Sequence, residues 1–178
     1  MKKYKLEIVD YDTNWPRLFI AEKEILNECI SEFDPVIEHI GSTSIPKLAA
    51  KPIIDIAVGI DDFNISCQLV NKIQAVGYYY EPELEEVIPD FKLLWKGEKL
   101  KEEFDIHRIH VIIQPISSRG WTDSLIFRDY LLDHADDAKT YGELKRGLSE
   151  RYVINNATYN KAKSIFIREI LSKARKIQ

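Results

Sequence analysis

Cysteine is scarce in this chain. Only Cys29 and Cys67 occur among 178 residues, far apart and in no redox or ligand motif. That argues against a disulfide framework or a thiolate metal site and fits the reduced thiols of a cytosolic protein. Long hydrophobic runs are also missing, none approaching the ~18 apolar residues of a membrane span. Met1-Lys2-Lys3 leads into Tyr4-Lys5-Leu6-Glu7-Ile8, not the apolar core of a signal peptide. A soluble, cytoplasmic protein with no membrane partner is expected. Positive charge is in deficit as well, with 25 Lys and Arg against 29 Asp and Glu. The isoelectric point near 5.6 and the lack of a basic aromatic surface make nucleic acid an unfavoured partner. No repeat, low-complexity tract or Gly/Pro/Ser-rich linker interrupts the chain, so residues 1–178 are read as one domain.

The charge is unevenly spread. Residues 138–178 carry ten Lys and Arg against three Asp and Glu, and the acidic excess lies before them. Complementary packing of a basic helical part on an acidic body is the simpler explanation, and a basic wall facing phosphates is the other.

"KLEIVDY" alternates as a short edge strand. From Trp15 the apolar residues recur at helical spacing, with Asn14 as N-cap and Pro16 in the first turn. "VIEHI" and "PIIDIAVGI" are β-branched strands, the second apolar on both faces and therefore central. A helix over "DDFNISCQLVNKIQAVG", strands at "YYYE" and "FKLLWKG" around an acidic loop, and a strong strand "FDIHRIHVIIQP" follow. After Pro115 the pattern turns helical: Trp121–His134, Asp136–Tyr152 and Ala157–Ile177. The expected class is α/β (α+β), a mixed sheet over about 1–115 flanked by helices, then a helical extension over about 116–178.

The turn Gly41-Ser42-Thr43-Ser44 stands between a histidine and that central strand. Glycine permits positive φ, and the N–H and hydroxyl groups of Ser42 and Thr43 can cradle a phosphate, with Lys47 and Lys51 adding charge. The same residues can also form a self-bonded structural turn. Asp55 strengthens the first reading. Ile53, Asp55 and Ala57 share one face of the strand, and a carboxylate there is costly unless it is paired or holds a metal. His39 precedes the turn on its own strand. In "HRIHVII", Arg108 and His110 share one face and His107 lies on the other. Two histidines converging on Asp55 would make a metal or acid–base site.

"EHIGSTSIPKLAAKPIIDI", "HRIHV", "FRDYLLDH", "YGELKRGL" and "YNKAKSIFI", in this order from about Trp15 to the C-terminus, resemble the GrpB family of nucleotidyltransferase-like proteins. The resemblance implies a nucleotidyltransferase-type fold, a Gly-Ser turn that binds nucleotide phosphates, and carboxylates that hold divalent metal for phosphoryl transfer. Gly41 and Ser42 match the turn and Asp55 matches the first carboxylate. Ala57 stands where the second acid is expected, His110 where a third carboxylate would be sought, Arg108 for a histidine and Lys47 for a glycine. The resemblance also implies Arg128, Lys145 and Lys163 as phosphate contacts.

Two functions are therefore expected in the alternative. The first is transfer of a nucleotidyl group from a nucleoside triphosphate to an unknown acceptor, with Asp55 and His110 catalytic and a divalent ion (Mg, Mn or Zn) held by Asp55, His39 and His110. The second is a nucleotide-binding or interaction module without catalysis, in which the acid missing at Ala57 marks lost chemistry.

Overall fold

The computed structural model describes residues 7–88, 90–98, 106–151 and 156–177. Its sheet has five strands: β1 (Val36–Ile40), β2 (Ile54–Ile60), β3 (Tyr79–Glu81), β4 (Lys92–Glu98) and β5 (Ile106–Pro115), in the order β1-β2-β5-β4-β3. β2 runs parallel to β5, and every other neighbouring pair is antiparallel. β2 is thus an interior strand, as its two apolar faces require.

Ile54, Ile56, Val58 and Ile60 of β2 join Leu94, Val111 and Ile113 in a buried cluster on one face of the sheet. Helices α1 (Trp15–Ile30) and α2 (Ser66–Ala75) cover it with Leu26, Ile30, Leu69 and Ile73. Pro16 lies in the first turn of α1 as expected, but Asn14 is no side-chain cap. It adopts helical angles itself, and its amide donates to the Asp12 carboxylate instead. The first predicted strand shrinks to one bridge, Val9 with Ala50, and Lys5 and Leu6 lie outside the described residues.

Three helices follow β5: α3 (Arg119–Asp133), α4 (Ala135–Arg151) and α5 (Asn156–Ala174). α3 meets the other face of the sheet, where Trp121 packs with Ile40 and Ala57. Gly59 on that face has no room for a side chain, because a Cβ would stand 2.8 Å from the Trp121 ring. α3, α4 and α5 share a second core around Phe127, Leu131, Tyr141 and Ile170, which also takes in Ile45 and Leu48 from the segment after the Gly-Ser turn. That packing brings the basic C-terminal helices against the turn. Tyr152, the last residue of the predicted second helix, lies outside the described residues, as do Phe104 and Asp105 at the start of the predicted last strand.

Candidate functional site

The strand registers line up one row of side chains across the sheet. Ile40 pairs with Asp55, Asp55 with His110, His110 with Trp95, and Trp95 with Tyr79. Directly opposed residues share a face, so Asp55 and His110 project together toward the helical extension's side. His110 Nδ1 lies 3.0 Å from Asp55 Oδ1. His110 Nε2 lies 2.9 Å from His107 Nδ1, and the His107 ring stacks on Trp95 with centroids 4.1 Å apart.

His107 corrects the expectation from strict alternation. The pairing slips between Lys96, opposite Ile109, and Gly97, opposite His107. This irregularity takes Arg108 out of the ladder and lets His107 reach the face of His110. Arg108 instead reaches Glu98 at the surface, 3.4 Å away.

The Gly-Ser turn closes directly over the carboxylate. Gly41 has φ of +71°, and a Cβ there would stand 2.3 Å from Asp55 Oδ2. Glycine is required twice over, by conformation and by contact. The hydroxyls then divide their roles. Thr43 is buried and donates to the Ile53 carbonyl at 3.1 Å, and Ser44 donates to the Gly41 carbonyl at 2.6 Å. These two build the turn, so the Thr43 hydroxyl is committed to structure and not to a ligand. Ser42 hydrogen-bonds Tyr141 of α4, a tyrosine that also feels the Asp55 charge.

His39 does not join Asp55 and His110. It is opposed to Ile56, which places it on the other face of the sheet from Asp55. There its ring stacks on Phe19 of α1, and Nε2 meets the Thr43 hydroxyl at 3.1 Å. Burial pushes its pKa down to about 4, with Arg128 adding to the fall and Asp55 partly opposing it. Arg128 is also occupied. It donates to Glu38 at 2.6 Å, to Asp129 at 2.7 Å and to the His39 carbonyl at 3.1 Å, which ties α3 to β1.

The lysines converge. Lys145 of α4 is only 2% exposed, and its Nζ is the one fully buried side-chain polar atom among the described residues with no hydrogen-bond partner. Its nearest compensation is the Tyr141 ring, 4.5 Å away. Burial, followed by Lys163 and Arg146, lowers its pKa to about 7 against the opposing pull of Asp55. Lys163 of α5 is lowered by burial too, against the pull of Asp55. Lys51 falls to about 8 through burial and then Lys163, again opposed by Asp55. Lys51 and Lys163 both lie over the Tyr159 ring, at 5.0 and 5.1 Å. Three lysines from three segments thus all feel the charge of one carboxylate, and that carboxylate lies against the Gly-Ser turn.

Tyr141 and Tyr159 accompany these lysines, and a signal for them is in the sequence. "YGELK" and "YNKAK" both place a tyrosine four residues before a lysine, so each pair shares a helix face. Lys47 lies outside this convergence in backbone terms. It adopts a φ of +65°, the left-handed conformation for which glycine is the easier residue.

The sequence matches the GrpB protein family over residues 5–173. The chain belongs to the GrpB family. The glutamate-rich protein GrpB of Alkalihalophilus pseudofirmus is 32% identical over 173 residues, 97% of each chain. YqkA of Bacillus subtilis is 34% identical over 168 residues, which span 93% of this chain and 46% of that protein. The crystal structure of GrpB from Enterococcus faecalis, 31% identical, superposes with a TM-score of 0.82 over 96% of this chain and 98% of that one. Beyond the family, the Cid1 poly(U) polymerase bound to MgATP superposes with a TM-score of 0.57 at 15% identity, over 84% of this chain and 46% of that one. Cid1 with the UTP analog UMPNPP gives 0.54 at 14% identity, over 81% and 43%. The GrpB fold here is thus a nucleotidyltransferase-like fold.

The donor set does not fit a pair of magnesium ions. Magnesium asks for oxygen ligands, and Asp55 is the lone acid of its strand, with Oδ1 on His110 and Oδ2 against Gly41. Ala57 is fully buried under Trp121, so no acid stands at the second position. With His39 on the other face, no three His, Cys, Asp or Glu side chains among the described residues gather as a metal site. A cleft of about 400 Å³ lined by Trp121, Leu125, Tyr130 and Ile177 lies along α3, away from the lysines and Asp55.

Proposed function

We propose that this protein binds a nucleoside triphosphate, with the phosphate chain held between the Gly41-Ser42 turn and Lys51, Lys145 and Lys163. The observation that carries the reading is the buried, unpartnered ammonium of Lys145. A buried cation without a partner is costly, and structures keep such groups where a ligand supplies the missing charge. Support comes from the Asp55 charge felt by all three lysines, from the Ser42 bond to the tyrosine that Lys145 lies over, and from solved neighbours of the same fold that carry MgATP or a UTP analog.

The test is thermal unfolding with each common nucleoside triphosphate. A ligand at a hundred times its dissociation constant stabilises by about 2.7 kcal/mol, which is several degrees for a chain of this size. The reading predicts that rise for wild type and its loss in Lys163→Gln. Absence of a shift with every nucleotide would refute it.

A second reading, nucleotidyl transfer, is favoured by the Asp55–His110 contact beside the same lysines. An imidazole oriented by a carboxylate is suited to take a proton from an attacking hydroxyl once its Nε2, which meets His107 at 2.9 Å, is released to the substrate. The acceptor oxygen would bond to the α-phosphorus, the bond to the β-phosphate oxygen would break, and pyrophosphate would leave. Transfer of α-labelled nucleotide to any acceptor, abolished by Asp55→Asn, is the distinguishing result.

A further inference from the structure

We infer that Lys51, Lys145 and Lys163 stand in place of divalent cations, so that the site takes its polyphosphate ligand as the bare anion. The inference rests on the nucleotide-binding reading and goes beyond it, because the fold's neighbours include a complex with MgATP.

A divalent ion is held where several oxygen anions outweigh its hydration. Here a single carboxylate is shared with His110 and capped by Gly41, while Lys51 and Lys163 lie over one tyrosine ring, Lys145 over another, and all three feel the Asp55 charge. A doubly positive ion among these lysines would be repelled by each of them in a poorly solvated space. An anion would be attracted by each, and it would give Lys145 Nζ the acceptor it lacks. The two helices contribute the same unit, a lysine set over a tyrosine four residues earlier: Lys145 over Tyr141 and Lys163 over Tyr159. The aromatic faces steady the two ammonium groups while the ligand is absent. Charge that metals would bring with the nucleotide is thus built into α4, α5 and the segment before β2.

The experiment is equilibrium binding of ATP, and separately of inorganic triphosphate, to the purified full-length chain in excess EDTA and in magnesium. The inference predicts ATP dissociation constants that differ by less than tenfold between the two conditions. It also predicts that Lys145→Met and Lys163→Gln, each verified as folded by its melting curve, weaken binding in EDTA at least tenfold. Triphosphate binding in EDTA without ATP binding would also support the inference, and would name a free polyphosphate as the source. A tenfold or greater loss of ATP affinity in EDTA would overturn the inference and leave nucleotide binding standing. Unchanged binding in both lysine variants would overturn it too. If neither ligand bound under either condition, inference and nucleotide reading would fall together.

Discussion

Replacing Lys145 with methionine should make the ligand-free protein more stable. The ammonium is 2% exposed and unpartnered, and burial together with Lys163 and Arg146 takes its pKa from an ordinary 10.5 to about 7, with Asp55 opposing. A base depressed by folding binds fewer protons in the folded than in the unfolded chain, so stability rises with pH between those two values. The penalty is complete below pH 7 and vanishes above about 10.5. At about 1.36 kcal/mol per pH unit the gap sets a ceiling of about 5 kcal/mol. Methionine keeps the apolar stem but leaves a small void in place of the ammonium, so a net gain on the order of 1–3 kcal/mol is expected at pH 6. For a chain of this length that is roughly 3–10 °C in melting temperature. Urea titrations of wild type and Lys145→Met at pH 6, 8 and 10 measure it directly. The gain should shrink steadily toward pH 10. A variant less stable at pH 6, or a gain that does not change with pH, would refute the reasoning.

Gly41→Ala should cost on the order of 1–3 kcal/mol, because the new Cβ meets Asp55 Oδ2 at 2.3 Å from a backbone at φ +71°, and chemical denaturation reads it. His39 is neutral in the fold, with a pKa of about 4 against an ordinary 6.5. The unfolded chain therefore takes up the extra proton first, and stability should fall as pH drops from 6.5 toward 4, by up to about 3 kcal/mol. His39→Gln should flatten that acid limb, visible as melting temperature against pH. Asp55→Asn removes the negative charge beside His110 Nδ1 but leaves the lysines in place. It should keep ATP affinity within a few fold while abolishing any nucleotidyl transfer, which binding and label-transfer assays separate.

How far the site could be read in advance depended on what each residue's position rests upon. Alternation along "PIIDIAV" placed Asp55 and Ala57 on one face of β2, and the registers bear this out, because a strand's side-chain period is local. The helices of the last third were also legible, each within a few residues, from periodicity alone. His39 was not. Its face relative to Asp55 depends on how β1 registers against β2, and no pattern within either strand encodes that. His107 escaped for a different reason: the slipped register opposite Gly97 breaks the alternation on which its expected face was based. Arg128 matched a family position, but its guanidinium is held by Glu38 and Asp129, which only tertiary packing brings together. Lys145 and Lys163 entered through resemblance to the family. Their depressed basicity follows from burial beside each other, a property of the packed helices and not of the helical repeat.

Proton exchange on nucleotide binding tests the central claim most directly. At pH 8, Lys145, with its pKa near 7, is mostly neutral, and Lys51, near 8, is about half protonated. A polyphosphate seated among them restores both toward ordinary lysine behaviour, so roughly one proton should enter at Lys145 and a further half at Lys51 per ATP bound. Calorimetric titration of ATP at pH 8, in two buffers of different ionisation enthalpy, counts that uptake. Saturable one-to-one binding with an uptake of about 1.5 protons, falling to about half a proton in Lys145→Met, is the result expected. Binding with no proton uptake, or no binding at all, would contradict a phosphate site built on these lysines.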